Sequence, residues 1–466
     1  MSSIPALSQA DSAWFELIST RLATVPDLEF QLEVDGLSIR LTGEVTGSWE
    51  ISLDGGSPED AGSRALWDNR RFAQAALLLH DPSGNAPRTV DRVRIKVIGH
   101  DLRATRARLL DAAAWMPARV ARRRLAGVAD PVIEAAAPPR PLARWQRALL
   151  PLARIRNLVA RVWRERLEEV WSIGIIEGDA AALVQGGTPA PVRWLPERPN
   201  GYLADPFGVK ADGREWIFAE AYDHADRKGF LVAGEVETLA AGGPATTVLE
   251  CPHHLSFPQV FRHDGQWWML PEATASGRVT LYRTDSLPDG WSEHGAILPD
   301  FAGADPTLFH DRDNGRWHDR NNGRWWLFAT SHAEQDETSL HLFHASGPEG
   351  PWHPHAGNPV KTDIGSARPA GPLFRVDGAL IRPAQDCSER YGGAVVFNRV
   401  LALTPEVFVE ETIARLDPDP DGPYPHGLHS LTPFGDGLLI DGKREFHSWR
   451  RLAFGVRQLL PATNRS

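Results

Sequence analysis

Four acidic residues in the second half of the chain recur in matched phrases. Asp205 and Asp305 each stand before a proline, in Ala204-Asp205-Pro206-Phe207 and Ala304-Asp305-Pro306-Thr307. Glu220 and Glu272 each close a Trp-containing apolar run that follows an Asp-Gly turn. Cleaving or forming a glycosidic bond takes two carboxyl groups, one protonated and one ionised, on either side of the bond. Several acids sharing one concavity push their proton affinities apart, which supplies that difference. The competing reading is structural. An Asp before a Pro also caps a turn through side-chain to backbone hydrogen bonds.

Cations and amides accompany the acids. Arg368, Arg382 and Arg390 surround Ala370-Gly371-Pro372, another copy of the phrase. They could hold carboxylates ionised, or grip a ligand phosphate or carboxylate in a two-pronged contact. Internal ion pairs are the structural alternative. Gln259, His332, Gln385, Asp386 and His429 complete the expected ligand-binding set. The chain has 17 His, but none at a convincing metal-ligand spacing, so neither a metal nor a cofactor is expected. No Gly-x-x-x-x-Gly-Lys-Ser/Thr, no Gly-x-Gly-x-x-Gly after a strand and no Gly-x-Ser-x-Gly elbow is present.

The elements that must position these residues follow from the repeat. Each copy opens with a small residue and usually Pro, runs as an apolar strand, turns, and returns as a strand that is often rich in Trp. Copies begin at Ala204, Phe257, Ala304 and Ala370, with a weaker fifth at His429. The turns are Asp212-Gly213, Asp264-Gly265, Asn322-Gly323, Asp377-Gly378 and Asp436-Gly437, strong hairpin signals between apolar strands. Copies spaced by tens of residues mark a propeller or solenoid. The simplest architecture is a mainly β chain with a five-bladed β-propeller at about 171–455. A hairpin brings its second strand back to where the first began. Asp205, Glu220, Glu272, Asp305, Gln385, Asp386 and His429 are therefore expected at one mouth of a central funnel, where perturbed pKa values belong. Trp216, Trp267, Trp268, Trp325 and Trp326 are expected mainly between blades, with stacking platforms for sugar rings as the alternative.

The rest of the 466-residue chain is expected to hold a small α+β domain at 1–100, a basic helical linker at 101–170 and a tail at 456–466. Residues 8–24 read as a helix, 28–53 as strands with an Asp35-Gly36 turn, 67–79 as a second helix and 90–98 as a strand. The strand Trp171–Ile176 could complete the last blade. Residues 103–125 and 142–170 read as basic amphipathic helices that either pack as a linker or make peripheral contact with an anionic membrane. A tandem His-Asp-Arg-Asn-Gly-Arg-Trp-like string at 310–325 reads as a lengthened hairpin tip. The net charge of −10 argues against nucleic acid as a partner. Two cysteines, Cys251 and Cys387, read as free thiols. Neither an 18-residue apolar run nor a secretory start is present, so a cytoplasmic, membrane-associated at most, location is expected.

The phrases carry two resemblances. Ala204-Asp-Pro-Phe and Asp305-Pro-Thr-Leu-Phe with Trp325-Trp-Leu-Phe are similar to the five-bladed arabinanase and β-xylosidase clan of glycoside hydrolases. Gly201-Tyr-Leu-Ala-Asp-Pro-Phe, Ser256-Phe-Pro-Gln-Val-Phe with Met269-Leu-Pro-Glu, and Arg382-Pro-Ala-Gln-Asp-Cys-Ser with Tyr391-Gly resemble more closely the propeller domain at the N-terminus of plant glucosamine inositolphosphorylceramide transferases. This likeness covers roughly 170–450. Bacterial proteins with that domain carry it alone or beside formyltransferase-like domains, and residues 46–125 resemble the tail of such a region. The hydrolase likeness implies Asp205 as base and Asp305 as the group that tunes pKa. It also implies a general-acid Glu in a Glu-Gly-Pro phrase, where this chain has Ala370-Gly371-Pro372. Glu272, then Glu220, are the substitute acids. The expected function is a carbohydrate-active protein that processes or transfers sugars of a cell-envelope glycan or glycolipid. The alternative is a noncatalytic sugar-binding or scaffold module serving a glycosyltransferase.

Overall fold

The computed structural model describes residues 9–447 except 27, 29–32, 36–37, 42–46, 55, 81–85, 100, 135–139, 165–166, 179, 188–189, 199, 312–322 and 335–336. Most of the tandem string, Gly36 and the 456–466 tail lie outside the described residues.

The N-terminal part is a five-stranded antiparallel sheet in sequential order: Glu33–Asp35, Ser38–Leu41, Gly47–Leu53, Phe72–His80 and Arg88–Lys96. Helices α1 (Gln9–Leu22), α3 (Leu102–Ala114) and α4 (Met116–Leu125) share its core, and the short α2 (Ser63–Trp67) precedes the fourth strand. Ile18 and Leu22 of α1, Leu109 of α3 and Val120 of α4 bury against Trp49, Ile51, Leu77 and Val93 of the sheet. The helix expected over 67–79 is instead the strand Phe72–His80. Ala-Gln-Ala-Ala-Leu-Leu-Leu favours a helix locally, but pairing on both edges and burial of Ala73, Ala75 and Leu77 override that propensity. The arginines of α4 are not a solvated face. Arg119 pairs with Asp91, Arg123 and Arg124 with Asp130, and Arg122 donates to Thr24 O.

A third basic helix, α5 (Arg144–Arg164), leads into five further antiparallel sheets. The first holds Gly201–Ala211, Arg214–Asp223, Lys228–Glu235 and Thr246–Leu249. The second holds Ser256–His263, Gln266–Glu272, Val279–Thr284 and Ser292–Leu298. The third runs from Gly303–Asp311 through Arg324–Ser331 and Ser339–Ala345 to His353–Pro354. The fourth runs from Phe374–Val376 through Ala379–Asp386 and Ala394–Leu403 to Phe408–Leu416. The fifth departs from chain order. Leu431–Phe434 and Gly437–His447 continue into Leu167–Glu177 and Val192–Trp194. Pairing of Gly437–His447 with Leu167–Glu177 across eleven residues ties the two ends of this region together.

Apolar side chains join neighbouring sheets. Phe207 and Phe218 of the first meet Phe257 and Met269 of the second. Leu270 and Leu281 meet Leu308 and Leu327 of the third. Phe328 and Leu340 meet Leu380 and Val400 of the fourth, and Val395 and Phe397 meet Leu431 and Ile440 of the fifth. Ile173 and Leu439 of the fifth return to Leu203 and Ile217 of the first. Trp268, Trp325 and Trp326 are buried in these seams. Among the described residues, no helix is long and apolar enough to cross a membrane.

Candidate active site

The repeated phrase builds the site through a distortion shared by three copies. Strand register slips between Ala204 and Phe207, between Ser256 and Gln259, and between Ala304 and Thr307. At each slip the residue before Pro takes a positive φ: 51° at Asp205, 48° at Phe257 and 46° at Asp305. Left-handed backbone costs a non-glycine residue about 1–2 kcal/mol. Such strain persists where surrounding contacts fix it, and bulges re-aim side chains at sites. Here the bulges place Asp205 and Asp305 in a buried cluster rather than on a sheet face. Across the hairpins, Glu220 faces Ala204, Glu272 faces Ser256 and Thr330 faces Ala304. In the fifth sheet Asp441 takes the corresponding place, its N–H reaching Ser430 O.

The cluster has two halves. In one, His429 lies between two carboxylates, with Nδ1 2.6 Å from Asp441 Oδ2 and Nε2 3.4 Å from Asp205 Oδ1. Asp441 is fixed by the N–H groups of His429 and Ser430 at 2.9 and 3.1 Å and by the Ser430 hydroxyl at 2.6 Å. Its Oδ2 also accepts from Asp205 N, and Asp205 Oδ2 accepts from Phe257 N, both at 3.2 Å. Trp171 stacks on the His429 ring with centroids 4.0 Å apart, and Tyr391 meets it edge-on. Burial disfavours charge on His429, but Asp441 and Asp205 outweigh it and lift its pKa to about 9. Burial raises Asp205 to about 7 against the pull of His429, and Asp305 and Asp441 add to the rise. Asp205, His429 and Asp441 have ligand atoms within 4.8 Å of one another, close enough to hold a metal ion.

In the other half, Arg368 donates to Asp305 Oδ2 at 2.6 Å and to Glu272 Oε2 at 3.3 Å. Gln385 Nε2 donates to Asp305 Oδ2 at 2.6 Å, and Glu272 Oε2 accepts from Asp305 N at 2.8 Å. Arg368 also lies over the Tyr391 ring. Burial pushes Asp305 up to about 8; Arg368 opposes the rise and Glu272 adds to it. Glu272, the first candidate for the acid, is thus committed to Arg368 and to main chain.

Glu220 is differently placed. Its Oε1 is buried, makes no hydrogen bond among the described residues, and lies 3.5 Å from His254 Nε2. Gly229 N donates to His254 Nδ1 at 2.9 Å, which puts the proton of a neutral imidazole on Nε2, facing Glu220. Burial lowers the His254 pKa, with Arg368 and His253 adding to it. Burial also holds Glu220 well above the usual carboxyl range, with the charges of Asp205 and Glu272 contributing. Gly229 makes the approach possible. A Cβ there would fall 2.6 Å from Glu220 Oε1 and 2.6 Å from His254 Cε1. The cluster itself is closed, with Asp205 4% and Glu220 5% exposed. Next to Glu220, His254 has a side chain that is 39% exposed, and its ring lies near Tyr222, which stacks on the half-buried Tyr202.

The structure therefore brings Asp205, Glu220, Glu272, Asp305, Arg368, Gln385 and His429 together. Four other expected ligand contacts are occupied or displaced. Gln259 gives both ends of its amide to Leu308 main chain, at 2.9 and 2.6 Å. Arg382 is fully buried on Glu410 and on Ser366 and Ala367 carbonyls. Asp386 pairs with Arg415 and accepts from Ser388 N. His332 is exposed on the short turn His332–Glu334. Sequence reasoning missed Asp441, Trp171 and the Tyr202–Tyr222 pair. No carboxylate replaces the absent Glu at the fourth copy. Ala370 is wholly buried, and a Cβ on Gly371 would fall 2.0 Å from Leu431 O.

These features define a mainly β chain of successive antiparallel sheets with an acid-rich centre. Residues 195–417 match the family model described as Glucosamine inositolphosphorylceramide transferase 1, N-terminal. Glucosamine inositolphosphorylceramide transferase 1 of Arabidopsis thaliana is 28% identical over 325 residues, 64% of this chain and 38% of the relative. The protein of the same name from Oryza sativa subsp. japonica is 31% identical over 218 residues, 46% of this chain and 28% of the relative. The chain thus spans well under half the length of these curated relatives. Among solved structures it is similar to CoXyl43, a GH43 beta-xylosidase/alpha-arabinofuranosidase from a compost microbial metagenome, at 13% identity and TM-score 0.37, covering 55% of this chain and 95% of that one. RS223-Beta-xylosidase is similar at 10% identity and TM-score 0.38, covering 53% and 93%.

Proposed function

We propose that the five sheets are the blades of a propeller whose centre receives a sugar of a glycan or glycolipid and acts on its glycosidic bond. Asp205 serves as the base, kept in line by His429 and Asp441. Glu220 serves as the acid. Asp305, held by Arg368 and Gln385, sets the field around them. The observation that carries this reading is the contrast between two neighbouring carboxyl groups. Burial raises Glu220 well above the usual carboxyl range and leaves its Oε1 without a hydrogen bond among the described residues, 3.5 Å from His254, while burial raises Asp205 to about 7. An acid and a base of that kind match the needs of glycosidic chemistry. The stacked Tyr202 and Tyr222 offer an apolar face beside polar groups, which suits a sugar ring. The names of the curated relatives favour a sugar linked to a phosphorylated inositol lipid as the ligand class, in envelope glycolipid assembly.

A second reading is favoured by the filled fourth copy. With no acid at Ala370 or Gly371, and Glu272 and Asp305 tied to Arg368, the centre could bind sugar without turning it over, in service of a glycosyltransferase. Wild type and Asp205→Asn should be screened on nucleotide sugars and aryl glycosides, with binding measured in parallel. Turnover by wild type that is lost in Asp205→Asn supports the first reading. Sugar binding by both with turnover by neither supports the second, and absence of both defeats the carbohydrate assignment.

A further inference from the structure

The helix α5 carries a feature that the central site does not use. Its 21 residues include six arginines and no acid, in a chain whose net charge is −10. One stripe of the helix docks: Ala153 and Asn157 are buried, with Gln146, Leu150 and Ala160 partly so. Asn157 Nδ2 donates to Leu66 O at 2.7 Å, and Arg156 reaches Trp67 O, which pins the helix to the end of α2. A second stripe is left in solvent. Trp145 is 61% exposed, Leu152 60%, Ile155 59% and Val159 64%, with Leu149 between them. These positions recur every three or four residues, so they share one helical face. Arg144, Arg147 and Arg154 follow on the next side, all exposed, with Arg147 also 2.7 Å from Asp60.

We propose that α5 is an interfacial helix that seats this chain on an anionic lipid surface. The occupant is argued from charge and shape together. An apolar stripe about 20 Å long, with Trp at one end, suits a helix lying flat in the headgroup region and is too short for a bilayer span. Arginines beside it would meet lipid phosphates and carboxylates as the stripe enters. Six charges in 21 residues exclude crossing, in keeping with the lack of any spanning helix among the described residues. The basic helix α4 takes no part, because it spends its arginines on Asp91, Asp130 and Thr24. The proposal is independent of the sugar chemistry. It puts the contact on α5 alone, within the 101–170 stretch whose basic helices read in sequence as either a packed linker or a membrane contact.

The test is co-sedimentation of the full chain with vesicles of phosphatidylcholine and of phosphatidylcholine mixed equally with phosphatidylserine, at low and high salt. Binding to the mixed vesicles at low salt is expected, weaker by about tenfold or more on phosphatidylcholine alone or when salt screens the charges. The double variant Leu152→Asp, Ile155→Asp should lose binding while keeping the thermal midpoint, since both side chains face solvent. Arg144→Glu with Arg154→Glu should weaken binding to the mixed vesicles only. No sedimentation of wild type, equal binding to both vesicle types, or wild-type binding by the Leu152/Ile155 variant would each overturn the proposal. A dimer that ignores vesicles and dissociates in that variant would also overturn it, giving the face to a second copy of the chain.

Discussion

His429 Nδ1 lies 2.6 Å from Asp441 Oδ2, and this buried contact orients the opposite edge of the ring toward Asp205. The folded state lifts the His429 pKa to about 9, above the ordinary value near 6.5. The stability gained from its charge is therefore fully present below about pH 6.5 and is lost as pH rises through about 9. The gain is on the order of 3 kcal/mol. Urea midpoints of wild type and His429→Gln, measured from pH 6 to 10, should differ most at the acidic end and converge at the alkaline end. A gap that stays constant with pH would remove His429 as a charged strut.

Asp205 should impose the acidic limb of activity. A base must be ionised, and burial raises Asp205 to about 7. Turnover on any accepted substrate should rise through pH 7, where an ordinary carboxylate would give a limb near 4. His429→Gln removes the positive charge that pulls against burial, so the limb should move to higher pH. A limb near 4 in wild type would contradict the role given to Asp205.

Arg368 is predicted to be structural before it is anything else. Its guanidinium bridges Asp305 and Glu272, and all three side chains are buried. Arg368→Met leaves two buried acids without their cation and should cost about 3–5 kcal/mol in urea unfolding. Adding Asp305→Asn and Glu272→Gln to Arg368→Met should recover much of that loss. If Arg368→Met alone unfolds like wild type, the bridge contributes nothing to the fold.

Gly229→Ala tests the packing behind Glu220. The added methyl would fall 2.6 Å from Glu220 Oε1 and 2.7 Å from Leu255 O. A loss of about 1–3 kcal/mol is expected from overpacking, together with weaker sugar binding. Unchanged stability and binding would show that Glu220 and His254 shift without cost.

Much of this arrangement was legible in sequence, and the part that was not has a physical cause. The Asp-Pro starts and Asp-Gly turns located the first and second strands of each hairpin, and with them Asp205, Glu220, Glu272 and Asp305. Glu220, Glu272, Thr330 and Gln385 each fall seven residues after their turn glycine. Asp441 falls only four after Gly437, because the fifth first strand is just Leu431–Phe434 and carries no register slip. Equal counting therefore passes over the residue that anchors His429. Trp171 escaped because it arrives from the far end of the region, on a strand that pairs with Gly437–His447. Glu272 ranks above Glu220 in sequence because it ends the second strand of the adjacent hairpin, whereas Glu220 shares a hairpin with Asp205; which carboxylates Arg368 reaches is decided by contact between sheets. The strand Phe72–His80 reads as a helix in sequence because its composition favours one, and only pairing on both edges and burial of Ala73, Ala75 and Leu77 decide otherwise.

The central claim is that Glu220 is the acid and Asp205 the base, and dependence on the leaving group tests it directly. Turnover of aryl glycosides with poor and good leaving groups should be compared in wild type, Asp205→Asn, Glu220→Gln and Glu272→Gln. A missing acid matters only where the departing oxygen needs a proton. Glu220→Gln should lose about 10²–10⁴-fold on the poor leaving group and little on the good one, while Asp205→Asn loses activity on both. Full activity of Glu220→Gln on the poor leaving group, or the same selective loss in Glu272→Gln instead, would contradict the assignment.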